Sequence, residues 1–471
     1  MPVSAANRVK RRSTDAVPAS PASCGPASRE RLVQLLYSGV ERALGTHLSR
    51  GAHLCVGLSG GVDSVALLDV LHILAPRHGW RLSAIHVNHQ LSAHAAEWAR
   101  FCRQLCRACG VPLRVVKVNV PRGNSIEAAA RAARYAAYRA QPAENVLLAQ
   151  HQDDQAETVL LQLLRGAGVK GLAAMPPMRM DVARPDLRLL RPLLGFTRNE
   201  IEQYAAARDL SWVEDESNRD AYYLRNFLRR EIMPRIESRA PEYRSTLSRA
   251  AGHMAGAAQL LDALAQIDGA GALIDGTLMV APLQKMPAER ARNLLRYFLA
   301  LHHVSMPDAR RLDEALRQVT TAKSDARVCI ALGGHTLRRF AGALHVVVMQ
   351  SPIKKDFVQR WRDERRLVIP KLHATLEMRA RRGAGIDLLK LLTKPVTLRV
   401  RRGGEKLQPD AARPRRHVKD LFQELNVPPW RRERLPYLWS GERLVWVAGL
   451  GIDCAFQARA GAAGVVPRWI E

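Results

Sequence analysis

The stretch HLCVGLSGGVDSVALLDVLHIL, residues 53–74, decides how this chain folds. HLCVGL reads as a short buried strand, SGG as a turn, and VDSVALLDVLHIL as a helix. The alternation continues outward from it. LSAIHV (82–87) predicts a second strand and EWARFCRQLCRAC (97–109) a helix. LRVVKVNV (113–120) predicts a third strand, SIEAAARAARYAAYRA (125–140) an alanine-rich helix, and NVLLAQH (145–151) a fourth strand. Strands alternating with helices at this spacing imply right-handed crossovers and an α/β fold around a parallel sheet covered on both faces. Ligands of such sheets bind at the carboxyl ends of the strands.

That is where the Gly-rich turn falls. In Ser59-Gly60-Gly61-Val62-Asp63-Ser64, adjacent glycines let the backbone take positive φ and come close to an anion. The helix that follows presents unpaired N–H groups and a partial positive charge. Ser59 and Ser64 add hydroxyls, and Asp63 beside phosphates makes sense with a magnesium ion between them. The chain has no G-x-x-x-x-G-K-[ST] loop. Gly166-Ala-Gly-Val-Lys-Gly171 matches a dinucleotide fingerprint but follows a helical run rather than a strand, so it reads as a helix end.

After the fourth strand stands QHQDDQAET (150–158). A helix beginning near Asp153 puts Asp154 and Glu157, three apart, on one face. Such a pair could hold a metal ion or orient an amine, while ordinary capping accounts for one acid of the two. The other eye-catching spacing, Cys102-x3-Cys106-x2-Cys109, is that of an iron–sulfur site but equally that of one helix face, and packing is the reading taken.

SGGVDS after a strand resembles the signature of the PP-loop ATP pyrophosphatases. IHVNHQLSAHAAEW (85–98), SIEAAARAARYAAY (125–138), RPLL (191–194), WVEDESN (212–218) with RNFLR (225–229), and RRGGEK with RHVKDLFQELNVPPWRRERLPYLW (401–439) sharpen the likeness. Together they are similar to the bacterial tRNA(Ile)-lysidine synthetases, over about residues 52–460. The resemblance implies that ATP adenylates the wobble cytidine of an isoleucine tRNA with a CAU anticodon, and that L-lysine then displaces AMP. It implies ATP binding by Ser59, Gly60, Gly61, Val62, Asp63, Ser64, His86 and Val87, magnesium at Asp63 and Asp154, and catalytic roles for Asp63, Asp154, Glu157 and Arg225. Many members have a histidine where Gln150 stands. The rival readings are a PP-loop tRNA thiolase or ammonia-using enzyme, and an inactive RNA-binding protein; the intact loop weighs against the last.

Composition agrees. Lys and Arg number 72 against 44 acids, a net charge of +28, which predicts a polyanionic partner. Arg401, Arg402, Arg415, Arg416 and Lys419 lie in a cluster expected to grip tRNA phosphates. Seven cysteines in 471 residues fit no secreted disulfide framework, no apolar run nears a membrane span, and a cytoplasmic location is expected. No apolar stripe marks a self-association surface. The expected organisation is a disordered basic tail (1–30), a PP-loop catalytic domain (31–240), and a mostly helical middle domain (241–350). A linker (351–394) and a small α+β tRNA-binding domain (395–471) complete it.

If Asp63 holds magnesium against the pyrophosphate, Asp63→Ala should abolish AMP formation, and Asp63→Asn should be nearly as damaging because the amide lacks the charge. Near-normal AMP release by either variant at saturating magnesium contradicts this role.

Overall fold

A computed structural model describes residues 26–120, 126–214, 224–323 and 326–470. The chain divides into two compact units, Met1–Leu264 and Ala265–Glu471.

The first unit is built on a six-stranded sheet. Its strands are β1 (His53–Gly57), β2 (Arg81–Asn88), β3 (Leu113–Lys117), β4 (Asn145–Leu147), β5 (Met178–Met180) and β6 (Arg188–Leu190), in the order β3-β2-β1-β4-β6-β5. All neighbours are parallel except the edge pair β5–β6. β4 is shorter than its apolar sequence run, because the chain leaves the sheet after Leu147 to carry Gln150 and His151 toward the next helix.

The helices are α1 (Pro26–Gly45), α2 (Val62–His78), α3 (Ala95–Ala108), α4 (Ile126–Arg139), α5 (Gln152–Leu164), α6 (Val169–Leu172) and α7 (Arg198–Ala207). α8 (Leu224–Phe227) runs through a π-helical turn, Leu228–Ile232, into α9 (Met233–Glu237), and α10 spans Tyr243–Gly269. Leu36, Val40 and Leu44 of α1, Leu67, Leu71 and Leu74 of α2, Cys102 and Cys106 of α3, and Ile201 and Tyr204 of α7 share one core. Tyr135 and Tyr138 of α4 pack with Val146, Leu187 and Leu189 in another. Each buried leucine contributes about 1.5–3 kcal/mol.

Two expectations change here. Residues 26–30 belong to α1 rather than to a tail; residues 1–25 lie outside the described part of the chain. The stretch 351–394 does not merely link, since it supplies strands to the C-terminal core. Within it Ala374–Arg382 buries Ala374, Leu376 and Met378 and turns Glu377 and its arginines outward. Charge on the outer face obscures the alternation in the sequence.

The second unit has two cores. Helices Val280–Lys285, Ala288–Leu301 and Ala309–Thr321 pack with a five-stranded antiparallel sheet, so the middle region adds a sheet to its helices. The C-terminal core is formed by antiparallel sheets of five and four strands with the short helix Val418–Glu424. Its longest pairing joins Ala374–Arg382 to Ala463–Ile470, from Thr375–Ile470 through Arg382–Ala463.

This pairing fixes where the chain can be cut. A chain ending at 394 keeps Ala374–Arg382 with Arg366–Ile369 beside it but without the strand of its longest pairing, and limited proteolysis is expected to trim it back toward residue 350. A chain ending at 350 should resist the same treatment. Full resistance of the 1–394 chain would contradict the pairing.

Candidate functional site

The order of strands reverses between β1 and β4, so their carboxyl ends leave a crevice at the middle of the sheet. The Ser59–Ser64 loop leaves β1 there. Gly60 has φ +96°, and a Cβ on it would stand 2.8 Å from Val213 Cγ2, so a side chain is excluded on both counts. Val213 N–H donates to the Gly60 carbonyl (3.0 Å), pinning the loop from the segment after α7.

Ser64 organises the loop from inside. It is buried, its hydroxyl accepts from the N–H groups of Ser59 and Gly60 (both 3.2 Å), and it donates to the Gly61 carbonyl (3.0 Å). Ser59, 3.0 Å from it, is exposed and can face a ligand. Val62 is core. Gly61 caps α2 without a side-chain bond, which leaves the helix N-terminus to the crevice.

A cavity of about 580 Å³ opens beside the loop, lined by Ser59, Asp63, Ser64, His86, Val87, Trp98, Arg131, Arg134 and Gln150, among others. Its size suits a nucleotide. His86 is buried, and its Nδ1 bonds the Leu58 carbonyl at 2.9 Å, joining the end of β2 to the start of the loop. Burial favours its neutral form. Cys102 Sγ lies 3.5 Å from the same nitrogen, and with Cys106 it belongs to the core, where burial pushes both thiols up to about 12. Packing accounts for these two cysteines.

Across the crevice α5 carries the acids. Burial raises the Asp63 carboxyl, although His151 opposes this, and its Oδ1 is buried without a hydrogen-bond partner. His151 lies between Asp63 and Asp154, its Nε2 at 3.7 and 3.5 Å from them. Burial works against its charge, but Asp153, Asp154 and Asp63 outweigh burial and raise its pKa. Asp153 turns to another task, accepting from the Arg198 N–H (2.8 Å) and from Arg244, and so ties α7 and α10 to α5.

Asp154 and Glu157 share a face, as their spacing predicts, and Arg225 meets both. Its Nε donates to Glu157 (2.8 Å) and its Nη2 to Asp154 (3.0 Å). The sequence reading missed Arg229, which repeats the pattern from the next turn, donating to Glu157 and to Asp154 (3.3 Å). The i, i+4 spacing of the arginines in RNFLR was the signal. Glu157, its side chain only 1% exposed, is thereby neutralised by two guanidiniums. The segment before these arginines, residues 215–223 of the WVEDESN…RNFLR run, lies outside the described residues.

The orphaned Asp63 oxygen fits a magnesium ion shared with phosphates. Asp154 fits less well as it stands, since Oδ1 accepts from both arginines and Oδ2 from the His151 N–H. In the C-terminal core Arg415 bonds the buried Asp453 (2.8 Å), which braces the fold, and Arg416 pairs at the surface with Glu424 (2.7 Å). Arg401, Arg402 and Lys419 form no ion pair among the described residues, and Arg402 and Lys419 are exposed.

Comparison with known proteins gives family matches to three stretches of the chain. Residues 32–236 match a PP-loop domain, 278–345 a TilS substrate binding domain, and 396–469 a TilS substrate C-terminal domain. The chain is 44% identical to the tRNA(Ile)-lysidine synthase of Nitrosomonas europaea, covering 89% of this chain and 92% of that one. It is 38% identical to that of Coxiella burnetii, over 88% and 92%. Among solved structures, the U34-tRNA thiolase NcsA from Methanococcus maripaludis is similar to 48% of this chain and 80% of its own at 18% identity, with a TM-score of 0.41.

Replacing Arg229 tests the acid–guanidinium cluster. Arg229→Ala leaves one oxygen of the buried Glu157 without its donor and should cost about 1–3 kcal/mol of stability. Arg229→Lys should recover part of this. An unchanged thermal unfolding midpoint in Arg229→Ala would contradict the cluster.

Proposed function

Because the chain belongs to the tRNA(Ile)-lysidine synthase family, we propose that it joins L-lysine to the wobble cytidine of the CAU-anticodon isoleucine tRNA in the cytoplasm, using ATP and magnesium. The observation that carries this reading is the meeting, in one crevice, of an anion-binding loop after β1 and an acid–arginine cluster on α5 and α8.

In this reading ATP lies in the cavity with its nucleoside toward His86 and Val87 and its phosphates toward Ser59–Ser64 and the α2 N-terminus. The carbonyl oxygen of the cytosine attacks the α-phosphorus. A P–O bond forms, and the bond to pyrophosphate breaks. Asp63 would hold magnesium, which supplies charge neutralisation for the leaving pyrophosphate. The lysine ε-amine then attacks the activated carbon, a C–N bond forms, and AMP departs with the oxygen.

Free lysine carries its ammonium at neutral pH, with a reference pKa near ~10.4. In this reading Asp154 and Glu157 would receive that ammonium, and Arg225 and Arg229 already bond them. Lysine must therefore compete with guanidiniums for these oxygens. That competition weakens its hold on the proton, which the amine must lose before it attacks. Glu157→Gln should raise the KM for lysine more than it slows adenylation. Adenylation lost at saturating lysine would place Glu157 in the ATP site instead.

The decisive product test is mass spectrometry of an isoleucine tRNA transcript incubated with the enzyme, ATP, magnesium and lysine. The wobble cytidine should gain the mass of one lysine less one water. Transcript of unchanged mass, with the enzyme folded and ATP bound, would refute the reading.

A further inference from the structure

Tyr135 of α4 is surrounded by arginines that meet no acid among the described residues. The Arg131 guanidinium lies over its ring, 5.1 Å from the centroid, and Nη2 donates to its hydroxyl at 3.2 Å. The Arg179 guanidinium of β5 lies 5.5 Å from the same centroid. Behind them Arg191, only 3% exposed, donates from Nε to Gln150 Oε1 and from Nη1 to the Pro176 carbonyl at 2.8 Å, both neutral acceptors. Burial, together with the like charges of Arg179 and Arg131, holds the Arg191 pKa below the usual arginine range, although Tyr135 opposes the shift.

Among the described residues none of Arg131, Arg179 and Arg191 forms an ion pair. Other arginines of the same unit do: Arg139 with Asp181, Arg184 with Asp186, Arg208 with Asp69. Three guanidiniums gathered on one phenol without a counter-charge repel one another and leave a strong local positive field. A phosphate group, with oxygens spaced for guanidinium forks, is the ligand that relieves it.

Two phosphates could serve, that of ATP and that of an RNA backbone, and position separates them. Arg131 and Tyr135 line the nucleotide cavity. Arg179 is exposed on the edge strand β5, beyond β6 and β4, away from the β2 side where His86 and Val87 lie. The arginines thus run from the sheet edge to the cavity mouth. An RNA strand delivering one base into the cavity would follow that course, whereas a triphosphate held at Ser59–Ser64 would not reach the edge strand.

We propose that Arg179 and Arg131, mounted on Tyr135 and backed by Arg191, bind a backbone phosphodiester of the substrate RNA next to the nucleotide that enters the cavity. This rests on the reading of the cavity as the site where a tRNA base is modified. Gln150 has a part in it, as the neutral acceptor that holds Arg191 in place without cancelling its charge.

The test uses the full chain and its Arg179→Ala and Arg179→Lys variants, both at an exposed position where the fold should survive. Binding of the isoleucine tRNA is followed by fluorescence anisotropy across a salt series, and the KM for ATP is measured separately. Arg179→Ala should weaken tRNA binding about tenfold and reduce the log–log salt slope by about 0.7–0.9. The KM for ATP should stay within about twofold, since a backbone contact does not touch the nucleotide. Arg179→Lys keeps the charge and should restore the slope. Unchanged tRNA affinity and slope in Arg179→Ala would overturn the proposal, and so would a loss confined to the KM for ATP, which would assign the arginines to the nucleotide. Wild-type enzyme that binds the tRNA but leaves its mass unchanged would refute the proposed function while leaving this contact standing.

Discussion

β1 and β4 run side by side and parallel, with Leu54 opposite Asn145 and Val56 opposite Leu147, while β2 lies on the other flank of β1. Everything chemical in the first unit depends on that adjacency. The loop after β1 and the helix after β4 are separated by roughly a hundred residues of chain, yet the sheet brings their starts to one crevice. α2 then offers its N-terminus to phosphates, and α5 offers Asp154 and Glu157 from the facing side. In the proposed reaction the electropositive side of the crevice would take the triphosphate and the acidic side the lysine ammonium.

The balance of charge between those walls is held internally. Arg225 and Arg229 answer the two acids, His151 sits between Asp63 and Asp154, and Arg244 pairs with Asp153 on the far side of its contact with His151. Burying the Glu157 carboxyl without such donors would leave its oxygens unsatisfied at a large desolvation cost. On the far side of β4 the opposite condition holds, with arginines on Tyr135 paired only to neutral groups. The same sheet therefore presents a compensated cluster for the reaction and an uncompensated one for a polyanion.

What could be read in the sequence was what is local. SGGVDS announces itself because glycine conformation, helix N-terminus and hydroxyls all lie within six residues, and Asp154 and Glu157 share a face by helical spacing alone. What could not be read depends on distant contacts. Ser64 has the residue type of a ligand donor, but the Ser59 and Gly60 N–H groups turn it inward. Arg415 and Arg416 have the residue type of phosphate binders, and nothing in their spacing announces that they also pair with Asp453 and Glu424. The strand Ala374–Arg382 hides behind its own outward charges until its pairing with the last strand of the chain is seen. Arg179 and Arg191 meet Tyr135 only through the crossing of β5, β6 and α4.

The central claim is that the activated group is a base of the RNA and not the carboxylate of the amino acid. Exchange of labelled pyrophosphate into ATP measures this directly, because it reads the reversible formation of the adenylate before lysine is used. Exchange should appear with magnesium and the isoleucine tRNA in the absence of lysine, and should vanish without the tRNA. Exchange supported by lysine alone, with no tRNA present, would contradict the account.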